Sequence, residues 1–280
     1  MAALLGAAAV AVCGGATVPS AGGHARTTPA RADGFGLLRR AAEAFSANWA
    51  GYIVQSPEGA APATFTDVVG TWVQPKLACT KGRTASSGFW VGLGGASDGS
   101  TALEQTGTAA DCTRRGKAVY YAWIELVPDP PTMLKLAVAP GNMILGAVAY
   151  VDGRVVLELK NLTRGTAVTR SFAMPEPDLT SAEWIAEAPS LCTSVARCTV
   201  DRLANFRQVF FSKAAVTGDG HTGTIQDPAW ESTQITLAPA SVDGALATGN
   251  PSGGAGAVPS PLGADGQSFS VSWSQTVTAP

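Results

Sequence analysis

From Ser46 to Trp273 short runs of β-branched and aromatic residues alternate with Gly, Pro, Asp and Ser, while long helical periodicity is almost absent outside the N-terminal segment. That pattern is the strongest constraint on the fold. Strands without intervening helices can bury their apolar faces only against another sheet, which leaves an antiparallel sandwich or a barrel. The clearest hairpin joins Leu145–Val151 to Arg154–Leu159 through Asp152-Gly153, a pair suited to the two positive φ angles of a type I′ turn. Val119–Val127 alternates most cleanly: Tyr120, Ala122, Ile124 and Leu126 form an apolar face, and Tyr121, Trp123 and Glu125 a wetter, aromatic one. Further strands are predicted in Ser46–Val54, Val68–Val73, Gly88–Leu93, Phe206–Phe211, Gln234–Leu237 and Phe269–Trp273, with Gly249–Gly266 as a loop. The expected fold class is all-β, an antiparallel β-sandwich of two packed sheets in a single domain spanning residues 46–280.

The N-terminus reads differently. Met1–Val12 is almost wholly small and apolar, a run too short to span a bilayer, and continues into Gly, Ala, Pro and Ser, so residues 1–25 are predicted to be a secretory signal. Residues 26–45 read as a linker or short propeptide. A secreted chain fits the cysteines: beyond the signal there are Cys79, Cys112, Cys192 and Cys198, an even set with three possible pairings. Nearest-neighbour pairing, Cys79 with Cys112 and Cys192 with Cys198, is favoured. Their spacing does not suggest zinc, and His221 is the one histidine beyond the signal, so no metal or cofactor is expected. A net charge of −2 gives no basic footprint for nucleic acid; the expectation is a monomer with no membrane or nucleic-acid partner after signal removal.

Glu183 and Glu187 stand four residues apart around an apolar centre in Ser181–Glu187. They share a face whether the stretch is a strand or a turn of helix. A solvated acid pair is the plain reading. Two other motifs are weak. Gly95-Ala96-Ser97-Asp98-Gly99 matches G-x-S-x-G, but a nucleophile elbow needs a strand–turn–helix setting that the pattern does not offer, and His221 would be its base. Asn161-Leu162-Thr163 is a glycosylation sequon that reads more naturally as a turn.

Seven blocks nevertheless stand in one order: Ser46-Ala47-Asn48-Trp49-Ala50-Gly51, Gly70-Thr71-Trp72-Val73-Gln74-Pro75, Phe89-Trp90-Val91-Gly92-Leu93, Leu103-Glu104-Gln105-Thr106-Gly107, Tyr121-Ala122-Trp123-Ile124-Glu125, Asn161-Leu162-Thr163-Arg164-Gly165 and Ala182-Glu183-Trp184-Ile185-Ala186-Glu187. Together they resemble the glutamic peptidases called eqolisins, the G1 family, across nearly all of the chain from Ser46 to Trp273. The resemblance implies a concanavalin-like sandwich of two seven-stranded sheets with a peptide groove on one concave face. It puts the catalytic pair at Gln105 and Glu187, and substrate-groove residues at Trp90, Trp123, Glu125 and Glu183, with Tyr121 beside them. The implied activity is a secreted, acid-acting endopeptidase on protein or peptide substrates. A carboxylate can draw a proton from water where thiols and imidazoles are protonated, and an amide N–H can hold the resulting oxyanion. Two departures bear on it: Gly94 and Tyr121 stand where fungal members carry Asp, which implies a milder acid optimum. A sugar hydrolase is the alternative that the tryptophans and paired acids would serve, although Ile185 interrupts the E-x-D-x-E of one such sandwich family. A non-catalytic carbohydrate- or peptide-binding module is the other.

Overall fold

The computed structural model describes residues 42–97, 100, 102–194, 197–238 and 254–277. Residues 1–41, which hold the stretch read above as a secretory signal and most of the expected linker, lie outside them. In chain order the strands begin with β1 (Ala42–Ser46), β2 (Trp49–Gln55), β3 (Phe65–Val73), β4 (Ala85–Gly94), β5 (Leu103–Cys112) and β6 (Ala118–Val127). They continue through β7 (Thr132–Leu134), β8 (Met143–Val151), β9 (Arg154–Asn161), β10 (Thr166–Ala173), β11 (Ser181–Glu187) and β12 (Ser190–Ser194). The last six are β13 (Arg197–Val200), β14 (Gln208–Gly218), β15 (His221–Thr224), β16 (Glu231–Leu237), β17 (Gly256–Pro259) and β18 (Phe269–Ser274).

One hydrogen-bonded path runs β10-β9-β8-β3-β14-β18-β17 and then β16-β2-β11-β4-β5-β6-β7. These are two seven-stranded sheets, joined edge to edge, among the described residues, by the Leu237↔Ala257 pair of β16 and β17. The strand pairs are antiparallel except β1 on β16. Folded over, β3, β8 and β14 lie across β4, β5 and β11. Between them sits the main core, which includes Tyr52, Trp72, Phe89, Val91, Trp184 and Phe211. Two buried indoles bridge the layers: Trp72 Nε1 donates to Thr108 Oγ1 at 2.8 Å, and Trp184 Nε1 to the Val69 carbonyl at 2.8 Å. Each satisfies the one polar atom of a large apolar side chain. Close approach needs glycine here, because a Cβ on Gly70 would stand 2.7 Å from Trp184 Cδ1.

The sandwich expectation is met, and so is the Asp152-Gly153 turn, with φ of 51° and 72°. Cys79 and Cys112 form a disulfide. Cys192 and Cys198 face each other in the β12–β13 register, but their side chains lie outside what is described. Two boundaries shift. β1 brings residues 42–45, read above as linker, into the sheet, and β17 forms inside the stretch read as a loop. That loop reading is corrected by pairing: Gly256–Pro259 is held by β18 in spite of its Gly and Pro. The sequon reading as a turn also holds, since the chain turns directly after Asn161, whose carbonyl and Oδ1 both accept from the Arg164 amide.

Candidate active site

The second sheet turns its other face away from the core. Because side chains alternate, β11 presents Glu183, Ile185 and Glu187 there, with Trp184 packed behind in the core. Register then sets three rows across the strands. The first reads Ile53–Glu183–Gly92–Gln105–Glu125 from β2 to β6. The second reads Gly51–Ile185–Trp90–Gly107–Trp123, and the third Trp49–Glu187–Gly88–Ala109–Tyr121. Large side chains are flanked by glycine. A Cβ on Gly107 would meet the Phe89 carbonyl at 2.4 Å and Trp90 Cβ at 2.6 Å, so Trp90 lies over a position that carries no side chain.

The register sets the two members of the expected pair apart. Glu187 does not face Gln105: it lies two rows away, four residues along the strand and two strands across. By standard strand spacings that is about 16–17 Å between Cα atoms, with the Trp90 row between. Glu183 is the acid opposite Gln105, two strand spacings or about 10 Å away, across Gly92. Both side chains are fully buried. Neither Glu183 oxygen, nor Oε1 of Gln105, makes a hydrogen bond of ordinary length among the described residues. Gln105 Nε2 donates to Glu125 Oε2 at 2.7 Å, leaving its second N–H for another acceptor.

The remaining groove residues have separate environments. Glu187 accepts from Trp90 Nε1 at 2.7 Å and from Asn48 Nδ2 at 3.1 Å, and Trp49 stands edge-on to Trp90 at 5.1 Å. Burial pushes Glu187 up to about 8, with Trp90, Trp49 and Asn48 pulling the other way. Burial also raises Glu183 well above the usual carboxylate range; the Ser181 hydroxyl lowers it, and Asp178 and Glu104 add to the rise. Trp123 and Glu125 lie on the same face, as their alternation implies, but are buried rather than wet. Tyr121 is raised, chiefly by burial and then by Asp111. Burial likewise raises Asp111, while Ser86 and Tyr121 lower it.

Three neighbours escaped the sequence reading: Asn48 and Trp49, quoted in a motif block without a role, and Asp178, in an irregular segment that carries no motif. The serine-hydrolase decoy does not assemble. Ser97 Oγ bonds Thr180 Oγ1 at 2.7 Å, whereas His221 pairs with Asp227 at 3.0 Å and lies against Trp230. Among the described residues no three His, Cys, Asp or Glu side chains are grouped to hold a metal ion.

Comparison with known proteins bears on the family and the fold. The model of the peptidase A4 family matches residues 47–247. The fold is similar to scytalido-glutamic peptidase bound to a transition-state-analogue inhibitor, at 26% identity and a TM-score of 0.61, over 81% of this chain and 98% of that one. It is also similar to SCP-B, an eqolisin solved with the tripeptide Ala-Ile-His, at 25% identity and TM-score 0.55 over the same shares. Aspergilloglutamic peptidase from Aspergillus niger aligns at 27% identity and TM-score 0.53, over 68% of this chain and 99% of that one. No curated protein matches by sequence. A family match across 47–247, on a sandwich that sets Gln105 and two buried glutamates on one face, places the chain in the peptidase A4 family, the eqolisin (G1) glutamic peptidases, and makes it a glutamic endopeptidase.

Proposed function

We propose that the chain is a secreted endopeptidase that cleaves protein substrates at acid pH with Gln105 and Glu183 as its catalytic pair. The observation that carries the pair is their placement face to face across Gly92 on a buried sheet face. Ionised Glu183 takes a proton from a water lying above Gly92 as that water's oxygen bonds to the substrate carbonyl carbon. The carbonyl π electrons move onto oxygen, and the free Gln105 N–H donates to the oxyanion. One such donor is worth about 3 kcal/mol. Glu183, now protonated, passes the proton to the amide nitrogen as the C–N bond breaks, releasing an amine and a carboxylic acid. Glu125 holds the Gln105 amide in position. Trp90, braced by Glu187, and Trp123 supply apolar walls beside the scissile bond.

Secretion rests on the apolar Met1–Val12 run and on the Cys79–Cys112 disulfide, which suits an oxidising compartment. The pH range follows from burial. Because Glu183 is raised and must ionise to act as a base, the rate climbs with pH through its titration, and the optimum is milder than a solvent-exposed carboxylate would give. The test is digestion of a denatured protein across acid pH by wild type, Gln105→Ala and Glu183→Gln, with a polysaccharide panel alongside. Cleavage by wild type and a loss of at least about a hundredfold in both variants is expected. Full cleavage by either variant removes the pair, and sugar release without proteolysis removes the peptidase reading.

A further inference from the structure

Asp178 lies in the segment leading into β11, outside the catalytic pair, yet four donors converge on it. Oδ2 accepts from the Gly95 amide at 3.0 Å and from the Ser100 hydroxyl, and Oδ1 from the Thr180 amide at 3.0 Å and the Thr180 hydroxyl at 2.6 Å. Burial acts to raise this carboxyl, but Ser100, Thr180 and Gly95 together outweigh it and hold Asp178 below its ordinary value. It therefore ionises more readily than an ordinary aspartate. Its seat is made by Gly94, whose φ is +82°; a Cβ there would stand 2.6 Å from Asp178 Cβ and 2.9 Å from its Cγ. Gly94 is two residues along β4 from Gly92, which lies between Glu183 and Gln105, so Asp178 is seated against the strand that separates the pair.

The other groups around Glu183 do not offset that charge. Ile53 faces it from β2 and Gly92 from β4. Glu104 of β5 is acidic and bears on it from the opposite side of the sheet, while Glu125 of β6 stands beyond Gln105 in the same row. Thr233 of β16 is next to Ile53.

We propose that Asp178 is a positioning residue for the catalytic pair: an ionised carboxylate, delivered by the approach to β11 into the space that Gly94 leaves open, which sets the pH at which Glu183 becomes a base. The inference rests on the reading of Glu183 as that base. A neighbouring negative charge disfavours a second one, so Asp178 holds Glu183 protonated to higher pH than burial alone would. It also supplies from another point in the chain the acid that position 94 lacks.

Asp178→Asn removes the charge and keeps the size and the acceptor for Thr180. The ascending limb of kcat/KM against pH then moves to lower pH, and the rate at the acidic foot of the profile rises roughly 3- to 10-fold. In 13C NMR the Glu183 side-chain carboxyl, assigned by its loss in Glu183→Gln, titrates at lower pH in Asp178→Asn. The exchange Asp178→Gly with Gly94→Asp brings both readouts back toward wild type, as a merely structural role for Asp178 would not. An unchanged limb and unchanged Glu183 titration in Asp178→Asn overturns the proposal. If the NMR shift is present while wild type cleaves no protein, the coupling stands and the peptidase reading of the pair falls.

Discussion

At the scale of single residues, what separates Glu183 from Glu187 is company. Glu183 faces an amide across a glycine and makes no hydrogen bond of ordinary length among the described residues, whereas both oxygens of Glu187 are engaged, by Trp90 and Asn48. An unsatisfied buried carboxyl is costly, and its persistence at this place fits a group that meets water and substrate in turn. Gln105 has the complementary arrangement, one N–H held by Glu125 and the other uncommitted. Gln105→Ala is expected to lower kcat by about 10²–10³ with little change in KM, because the lost bond forms mainly in the transition state; steady-state kinetics on one peptide checks it. Alternation along Ser181–Glu187 puts both glutamates on one face, so it could not choose between them. The choice depends on which residue of β4 lies opposite each, and register across three strands is not written in any one of them.

At the scale of elements, β5 shows why part of the site was hard to read. Leu103–Cys112 carries Gln105 yet has few β-branched residues and no large aromatic. Its small residues answer to the neighbouring strand: Gly107 lies beneath Trp90 and Ala109 is beside Gly88. Packing against larger neighbours, rather than intrinsic propensity, makes it a strand. By contrast β6 and the β8–β9 hairpin were legible, because alternation and Asp-Gly are local signals. The tight fit at Gly107 predicts that Gly107→Ala costs about 1–3 kcal/mol by overpacking and displaces Trp90, since the Phe89 backbone cannot yield. Chemical denaturation together with tryptophan fluorescence would show it. An unshifted midpoint would mean that the two strands are looser than their geometry indicates.

For the molecule as a whole, buried acids tie stability to pH. Glu104 is fully buried, and burial, with the Asp178 charge adding to it against the lowering pull of the Asp178 and Glu104 backbone amides, pushes it up to about 8. Glu187 is pushed to a similar value by burial. Unfolded, both return to the ordinary 4.5, so the native state binds more protons than the unfolded chain between those limits. Stability is then full below about pH 4.5 and falls as pH rises toward 8, by on the order of 5 kcal/mol per group. Against a typical total of about 5–15 kcal/mol, that loss is large. Tm is expected to be highest in acid and to fall steadily toward pH 8, with the fall reduced in Glu104→Gln; a Tm that rises over that interval would contradict the burial of these groups.

The pairing of Gln105 with Glu183 is tested most directly by comparing Glu183→Gln and Glu187→Gln under one assay at the wild-type optimum. Both substitutions keep side-chain shape, and the amide oxygen that Glu187→Gln introduces can still accept from Trp90. The expected result is a fall in kcat of at least about 10³ for Glu183→Gln, which has no base, and a change within about tenfold for Glu187→Gln, which retains its brace on Trp90. The reverse order, with Glu183→Gln active and Glu187→Gln dead, would contradict the proposed pair.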